Sequence, residues 1–233
     1  MFGKTIEWLR QEYKSILEDG YGEMSVIRGK IHKYLGNNLA YTVSGTSRIS
    51  MLDYIDEILT TFEKMYPCNS ITKSSAAPDN LFNVDEDCEK LSPDKAKVFH
   101  NLVFKKLYTT NRARPDTWTP VVLLTSKLKE PDIDDWKKLA HLMNNIRKTR
   151  NLPLILGTGG AGILKLWIDT SFTVHTNMRG HTSGRISRRR SFPVVSSTNH
   201  KLYKKRSTEA DIVGLYECMP SVCWTRYFPE SQD

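Results

Sequence analysis

Hydrophobic positions in the first 66 residues recur with two different periods. Residues 4–18 repeat apolar side chains every three or four positions, which predicts an amphipathic helix. Residues 24–51 instead contain short segments separated by glycine and asparagine, which predicts a small antiparallel meander of strands. These segments are MSVIRG, IHKYLG, NLAYTV and SRISM. The helical period returns from Met51 to Phe62, where we expect a second helix.

Residues 67–95 lack a regular period and contain Pro67, Pro78, Pro93 and an acidic cluster at Asp85–Asp87. This composition predicts a long exposed connection, in which only Leu81-Phe82 docks onto the rest of the chain. Three helices are expected after it, at residues 92–110, 117–128 and 133–150. Ser92 followed by proline is a typical start of a helix, and acidic residues open the third helix while basic residues close it.

The pattern after residue 150 predicts strands again. LPLIL, the glycine-rich turn GTGGAG and ILKLWID together predict a hairpin, and SGRIS and PVVSS predict two weaker strands. A helix from Ser207 to about Tyr227 is expected to be interrupted near Pro220. Because the hydrophobic pattern changes from helical to strand-like at about residue 150, we place a domain boundary there.

The positive charge is concentrated in the C-terminal third. The net charge is +8, and residues 151–233 hold 11 Lys and Arg against 6 Asp and Glu. A basic excess of this kind favours a polyanionic partner, although a solvated basic face accounts for it equally well on composition alone. The residues concerned are Arg185, Arg188, Arg189, Arg190, Lys201, Lys204, Lys205 and Arg206.

Other classes of protein are disfavoured by the same sequence. No apolar run reaches the roughly 18 residues that a membrane helix needs, and the N-terminus lacks the apolar core of a signal peptide. The four cysteines show neither CxxC pairing nor zinc-like spacing, so we expect neither a disulfide framework nor a zinc site. These features predict a reducing compartment inside the cell, cytoplasmic or nuclear, without a membrane or small-molecule partner.

Three stretches resemble copia-type retrotransposon polyproteins. RARPDTWTPVVLLTSKLKEPDIDDWKKLAHLMNNIRKTRNLPLIL, residues 112–156, resembles the family's stretch after the polymerase palm. HTSG followed by STEA, at residues 181–184 and 207–210, resembles the paired motifs of its ribonuclease H domain. IEWLRQEY and GKIHKYLG near the N-terminus resemble the last palm helix and the primer-grip hairpin. The resemblance covers nearly the whole chain, and the HTSG and STEA pair is its most specific part.

The resemblance implies an α+β fold with four segments. These are the end of the palm with primer-grip-like hairpins and a thumb-like helix (1–66), the exposed connection (67–95), a helical connection (96–150) and a truncated ribonuclease H-like domain (151–233). The last domain is expected to hold a partial mixed sheet with helices. Tyr34, Leu35 and Gly36 take the primer-grip position, so a nucleic-acid contact is implied for them.

The family's polymerase site needs paired aspartates in a YVDD motif, and this sequence contains none. Its ribonuclease H activity needs carboxylates that hold two Mg²⁺ ions. The resemblance places the first carboxylate on Asp169 and the second on Asp211, with Glu209 as the alternative. Asp211 stands where the family has glutamate, and the third carboxylate would fall beyond Asp233. We therefore expect an incomplete site that does not bind Mg²⁺ tightly.

Ordinary structural roles remain open for these residues. Asp169 is also a suitable turn residue at the end of a strand, and acids such as Glu209 and Asp211 are favoured in the first turn of any helix. The basic run at Arg188–Arg190 fits sequence drift as well as a nucleic-acid contact.

Three functional hypotheses follow from the sequence. The first is a catalytically inactive polyprotein fragment that binds RNA–DNA hybrid, or another nucleic acid, without sequence preference. The second is a weak metal-dependent nuclease acting on RNA–DNA hybrids. The third is a poorly folding remnant without function.

Overall fold

The fold was analysed in a computed structural model, which describes residues 2–13, 26–42, 45–66, 75–85, 87–157, 164–171, 180–188, 191–199 and 206–230. The helices are α1 (Phe2–Glu12), α2 (Leu52–Met65), α3 (Pro93–Arg112), α4 (Trp118–Ser126), α5 (Ile133–Lys148) and α6 (Ser207–Glu230). The strands are β1 (Ile31–Tyr34), β2 (Asn37–Tyr41), β3 (Thr46–Ser50), β4 (Leu154–Gly157), β5 (Leu164–Ser171), β6 (His181–Arg188) and β7 (Ser191–Asn199). A 3-10 turn, Pro115–Thr117, joins α3 to α4. The mixture confirms the predicted α+β class.

The main core lies between helices α2 to α5. Each helix contributes a stripe of apolar side chains with helical spacing, and burying these stripes against one another is the main source of stability for such helices. The buried residues are Ile55, Ile58, Leu59, Phe62, Phe99, Leu102, Val103, Val121, Leu124, Trp136, Leu139, Ala140, Leu142, Met143 and Ile146.

Helix α5 begins where the sequence predicted. Asp132 caps it by accepting a hydrogen bond of 2.9 Å from the backbone N–H of Asp135, and the Asp135 side chain accepts one of 3.2 Å in return. This reciprocal pair satisfies two N–H groups that a helix start leaves without partners. Burial raises the pKa of the Asp135 carboxyl, although its hydrogen bond from Asp132 opposes that shift.

The first sheet is antiparallel, in the order β1-β2-β3-β4. Its first three strands are the predicted meander, but the described end of the MSVIRG segment, residues 26–29, is not a strand. The predicted hairpin between LPLIL and ILKLWID is also wrong, because β4 pairs with β3, where Ile49 lies opposite Leu154 and Thr46 opposite Gly157.

The cause of this pairing is the antiparallel packing of α2 against α5. The guanidinium of Arg147, in the last turn of α5, lies 2.8 Å from the Glu63 carboxylate of α2. That of Arg150, just after α5, lies 2.8 Å from the Asp56 carboxylate of α2. The start of α2 and the end of α5 are therefore neighbours. Since β3 leads into α2 and β4 follows α5, the two strands meet.

The second sheet is antiparallel in the order β5-β6-β7, with α6 packed on one face. All described pairings in both sheets are antiparallel, so the expected mixed sheet is not seen in this part of the chain. Helix α6 continues through Pro220, where we predicted an interruption. Pro220 is exposed, so water can bond the carbonyl that a proline inside a helix leaves without a partner.

The described part of the long connection is irregular and lies along α5. Leu81 is buried, and the Phe82 ring lies 5.4 Å from the His181 ring of β6, so the expected docking at Leu81-Phe82 is present. Lys138 of α5 donates a hydrogen bond to the Asn83 carbonyl. The bounds of the four predicted segments, including the boundary at residue 150, stay a prediction. Among the helices described, none combines the length and the apolar character that a membrane span requires.

Candidate functional site

The hairpin between β1 and β2 has the shortest possible connection, the two residues Leu35 and Gly36. Their φ angles are +48° and +77°, and a two-residue turn of this hand matches the twist of the strands it joins. Glycine adopts such angles readily, whereas leucine rarely does. Leu35 is held there because its carbonyl accepts a hydrogen bond of 2.9 Å from the Tyr108 hydroxyl.

The side chains at this hairpin tip face solvent. Tyr34 is 65% exposed and Leu35 is 56% exposed, on a turn whose backbone is fixed from both sides. On the inner side, the Asn37 side-chain amide donates a hydrogen bond of 3.1 Å to the Tyr34 carbonyl. An exposed ring on a fixed backbone suits stacking against a flat ligand. The structure thus places Tyr34, Leu35 and Gly36 together, in a solvent-facing position.

A cavity of about 340 Å³ lies beside the tip. Its charged lining includes Lys33, Asp53 and Glu57, with the Lys33 ammonium 3.3 Å from the Asp53 carboxylate. Tyr54 also lines it, and burial raises the pKa of the Tyr54 hydroxyl. Both members of the Lys33–Asp53 pair are largely exposed, so it contributes little to stability.

The Arg-Pro-Asp segment on which the resemblance rests has a structural role. Arg114 is 1% exposed and donates two hydrogen bonds, of 2.9 and 2.7 Å, to the Asp116 carboxylate. It also donates to the Thr149 carbonyl at 3.0 Å and to its hydroxyl at 2.6 Å. A buried guanidinium must have its donors satisfied in this way. The motif therefore ties the start of α4 to the end of α5.

Lys106 is a second buried cation beside this segment, and sequence reasoning missed it. It is 1% exposed, and its ammonium donates a hydrogen bond of 3.1 Å to the Thr109 hydroxyl. Burial and the neighbouring Arg114 lower the pKa of Lys106 to about 7, while Asp116 opposes that shift. The signal was present in the sequence, because Lys106 falls on the same helical stripe as Phe99, Leu102 and Val103.

The second sheet presents one face to α6. A Cβ atom added to Gly214 would collide with Cγ2 of Thr170 and lie 3.3 Å from Cγ2 of Ile168 and of Thr182. Thr170 and Ile168 therefore point toward the helix. Successive residues of a strand point to opposite faces, so Asp169 points away from α6.

The predicted metal-binding residues are separated by this alternation. Asp211 lies on α6, where its carboxylate accepts a hydrogen bond from the Thr170 hydroxyl. Asp169 is exposed on the far face of the sheet, and Glu209 is exposed in the first turn of α6. Two Mg²⁺ ions need carboxylates that converge on one point, so this arrangement does not fit them. In the part of the chain that is described, no group of three or more His, Cys, Asp or Glu side chains could hold a metal ion.

The predicted basic residues are only partly described. Arg185 lies on β6 opposite Trp167, on the same face as Asp169, and lines a cavity of about 240 Å³ with Asp116 and Pro153. Arg188 ends β6, and Arg206 is exposed immediately before α6. The remaining five, Arg189, Arg190, Lys201, Lys204 and Lys205, lie outside the described residues.

One comparison with known proteins bears on the identity of this chain. It is 24% identical, over 198 residues, to a Saccharomyces cerevisiae protein described as transposon Ty5-1 protein YCL074W. The match covers 83% of this chain and 62% of the yeast protein. No protein-family profile matches the chain. No solved structure matches it either. The similarity supports the transposon part of the expected origin.

Proposed function

We propose that this chain is a transposon-derived piece of a copia-type polyprotein, from the end of the reverse transcriptase into the ribonuclease H region, and that it binds nucleic acid without sequence preference. Its similarity to a transposon protein supports the origin. The order of elements supports the assignment to these regions, because a meander and a helical bundle precede an antiparallel sheet with a packed helix. The chain spans only 62% of the yeast protein, so any activity of the whole protein is itself part of the proposal.

The observation that carries nucleic-acid binding is the hairpin tip. Tyr34 and Leu35 are exposed on a backbone that Tyr108 and Asn37 hold in place, at the position where the resemblance predicts a primer grip. The basic residues of β6 and of the segment before α6 supply cations for phosphate groups. The partner we propose is an RNA–DNA hybrid, bound through its backbone.

We further propose that the chain is not a nuclease and does not bind Mg²⁺ tightly. Asp169 and Asp211 occupy opposite sides of the β5 strand, and catalysis is sensitive to displacements of about 1 Å. The test is incubation of the full chain with labelled hybrid and Mg²⁺ or Mn²⁺ at high protein concentration. We expect no cleavage. Cleavage that is abolished by Asp169→Asn would overturn this part of the proposal.

Binding is tested by titrating the full chain into labelled RNA–DNA hybrid over a salt series. We expect affinity to fall steeply with salt, because each phosphate contact releases a counterion. The Arg185→Ala variant should weaken binding and reduce the slope of log K against log salt by about 1. Lys137→Ala is the matched control, since this exposed lysine of α5 lies outside the proposed surface. Absence of binding at low salt would refute the proposed function.

A further inference from the structure

The outer face of α3 carries a row of cations and rings. Lys97, His100, Phe104, Tyr108 and Arg112 are spaced by three or four residues, which places them along one side of the helix. We call these five residues the α3 ridge. The opposite side of α3 is buried in the core. Lys97 and His100 are exposed, and Phe104 is 47% exposed although it is a large apolar ring.

Four members of the ridge contact one another in two pairs. The His100 and Phe104 ring centroids are 4.6 Å apart, with an angle of 48° between the ring planes. The Arg112 guanidinium lies 3.9 Å from the centre of the Tyr108 ring, a cation–π contact. Three rings thus lie between two cations along about 22 Å of helix, at 1.5 Å per residue.

A shallow groove lies beside the ridge. The groove has a volume of about 650 Å³, and its lining includes Lys97, His100, Phe104 and Lys105. The Lys97–Asp94 ion pair, at 3.8 Å, joins two largely exposed side chains. Such a pair is weak, so a phosphate can compete for the lysine.

The ridge is continuous with the hairpin tip. Tyr108, the fourth of the five ridge residues, donates the hydrogen bond of 2.9 Å that holds the Leu35 carbonyl. The exposed Tyr34 ring therefore stands at the same end of α3 as Tyr108 and Arg112. Together the tip and the ridge form one surface with rings and cations along its length.

We infer that the α3 ridge binds single-stranded nucleic acid and extends the surface of the hairpin tip. This inference rests on the proposed function and names a second nucleic-acid class for it. Unpaired bases offer their faces to aromatic rings, whereas the bases of a duplex are already stacked on one another. His100 and Phe104 stack bases, and Lys97 and Arg112 bind phosphates. Sequence preference is not expected, because every base has a flat face.

The test measures fluorescence anisotropy of a labelled oligouridylate, and separately of the RNA–DNA hybrid, with the full chain. The double variant His100→Ala with Phe104→Ala should weaken oligouridylate binding about tenfold, since the loss of stacking on one base weakens binding by roughly five- to 150-fold. Its hybrid binding should change less than about twofold. Phe104→Tyr keeps a ring and should bind oligouridylate normally. Tyr216→Ala is the matched control, because this ring is 78% exposed on α6, away from the ridge.

Failure of the ridge inference and failure of the proposed function give different results in this test. If the wild-type chain binds hybrid but not oligouridylate, the ridge inference is wrong and the proposed function stands. If oligouridylate binds but the double variant binds it as well as the wild-type chain does, the inference is also wrong. If neither nucleic acid binds, the proposed function fails and the inference fails with it.

Discussion

Replacement of the buried Lys106 by methionine tests how the core between helices α2 to α5 tolerates a buried charge. The Lys106 ammonium is 1% exposed and donates its hydrogen bond to a neutral hydroxyl, while the nearby guanidinium of Arg114 repels it. Its pKa falls from 10.5 to about 7. A shift of that size corresponds to roughly 4–5 kcal/mol of unfavourable free energy for the charged form in the folded protein.

The pH dependence follows from this shift. Between pH 7 and pH 10.5 the unfolded chain keeps the Lys106 proton, whereas the folded chain has lost it. The free energy of unfolding therefore rises with pH across this window, by roughly 1.4 kcal/mol per pH unit, and Lys106 contributes no further change below pH 7. Lys106→Met keeps the apolar stem and removes the titration. It should be more stable than the wild-type protein near neutral pH.

The assay is urea unfolding of wild type and Lys106→Met at about pH 7.5 and at about pH 9. Between these values the wild-type protein should gain roughly 2 kcal/mol relative to the variant. Lys105→Met is the control, because the neighbouring Lys105 side chain is 25% exposed and paired with Glu57 at 2.5 Å. Because this control retains Lys106, it should show the rise in stability with pH that Lys106→Met lacks. Equal slopes for wild type and Lys106→Met would show that the burial of Lys106 does not cause this pH dependence.

Two further predictions concern the packing of α6 and the start of α5. Gly214→Ala should lower the melting temperature, because its methyl group collides with Thr170. Overpacking of this kind costs about 1–3 kcal/mol, whereas alanine gains roughly 1 kcal/mol over glycine inside a helix. Gly3→Ala has nothing within 4 Å and should not destabilise the protein, so a stabilised Gly214→Ala would show that α6 does not pack as described. Asp132→Ala should cost about 1 kcal/mol in urea unfolding, because the Asp135 N–H loses its cap. Asp94→Ala, at a 94% exposed side chain in the first turn of α3, should cost less, and equal losses would contradict the capping argument.

The same unfolding experiments test the hypothesis of a poorly folding remnant. If unfolding is cooperative and both Gly214→Ala and Asp132→Ala lower its midpoint, the second sheet and helices α2 to α5 both have defined packing. The absence of any cooperative transition would instead support the remnant hypothesis.

Local features of this fold were predictable from the sequence because their causes are local. The start of α5 follows from Pro131 and Asp132, and the core stripes of α2 and α5 follow from helical spacing. The β3–β4 pairing was not predictable in this way, since it joins residues about a hundred positions apart and depends on how α2 packs against α5. From sequence alone, a hairpin between neighbouring segments is the simpler prediction, and here it was wrong.

The candidate site likewise has features that were predictable from the sequence and features that depend on packing. The hairpin tip was predicted from a family resemblance, and Gly36 suits its positive φ angle of +77°. The separation of Asp169 from Asp211 depends on which face of the second sheet α6 covers, and the period of a strand does not reveal that. The α3 ridge was missed because its rings and cations look like an ordinary exposed helix face until their contacts with the hairpin are known.

Amide hydrogen exchange of the full chain, with and without RNA–DNA hybrid at low salt, tests the proposed nucleic-acid binding most directly. We expect slower exchange in the hairpin Ile31–Tyr41 and in β6, and loss of this protection at high salt. Unchanged exchange throughout the chain, or protection confined to α5, would contradict the proposed binding.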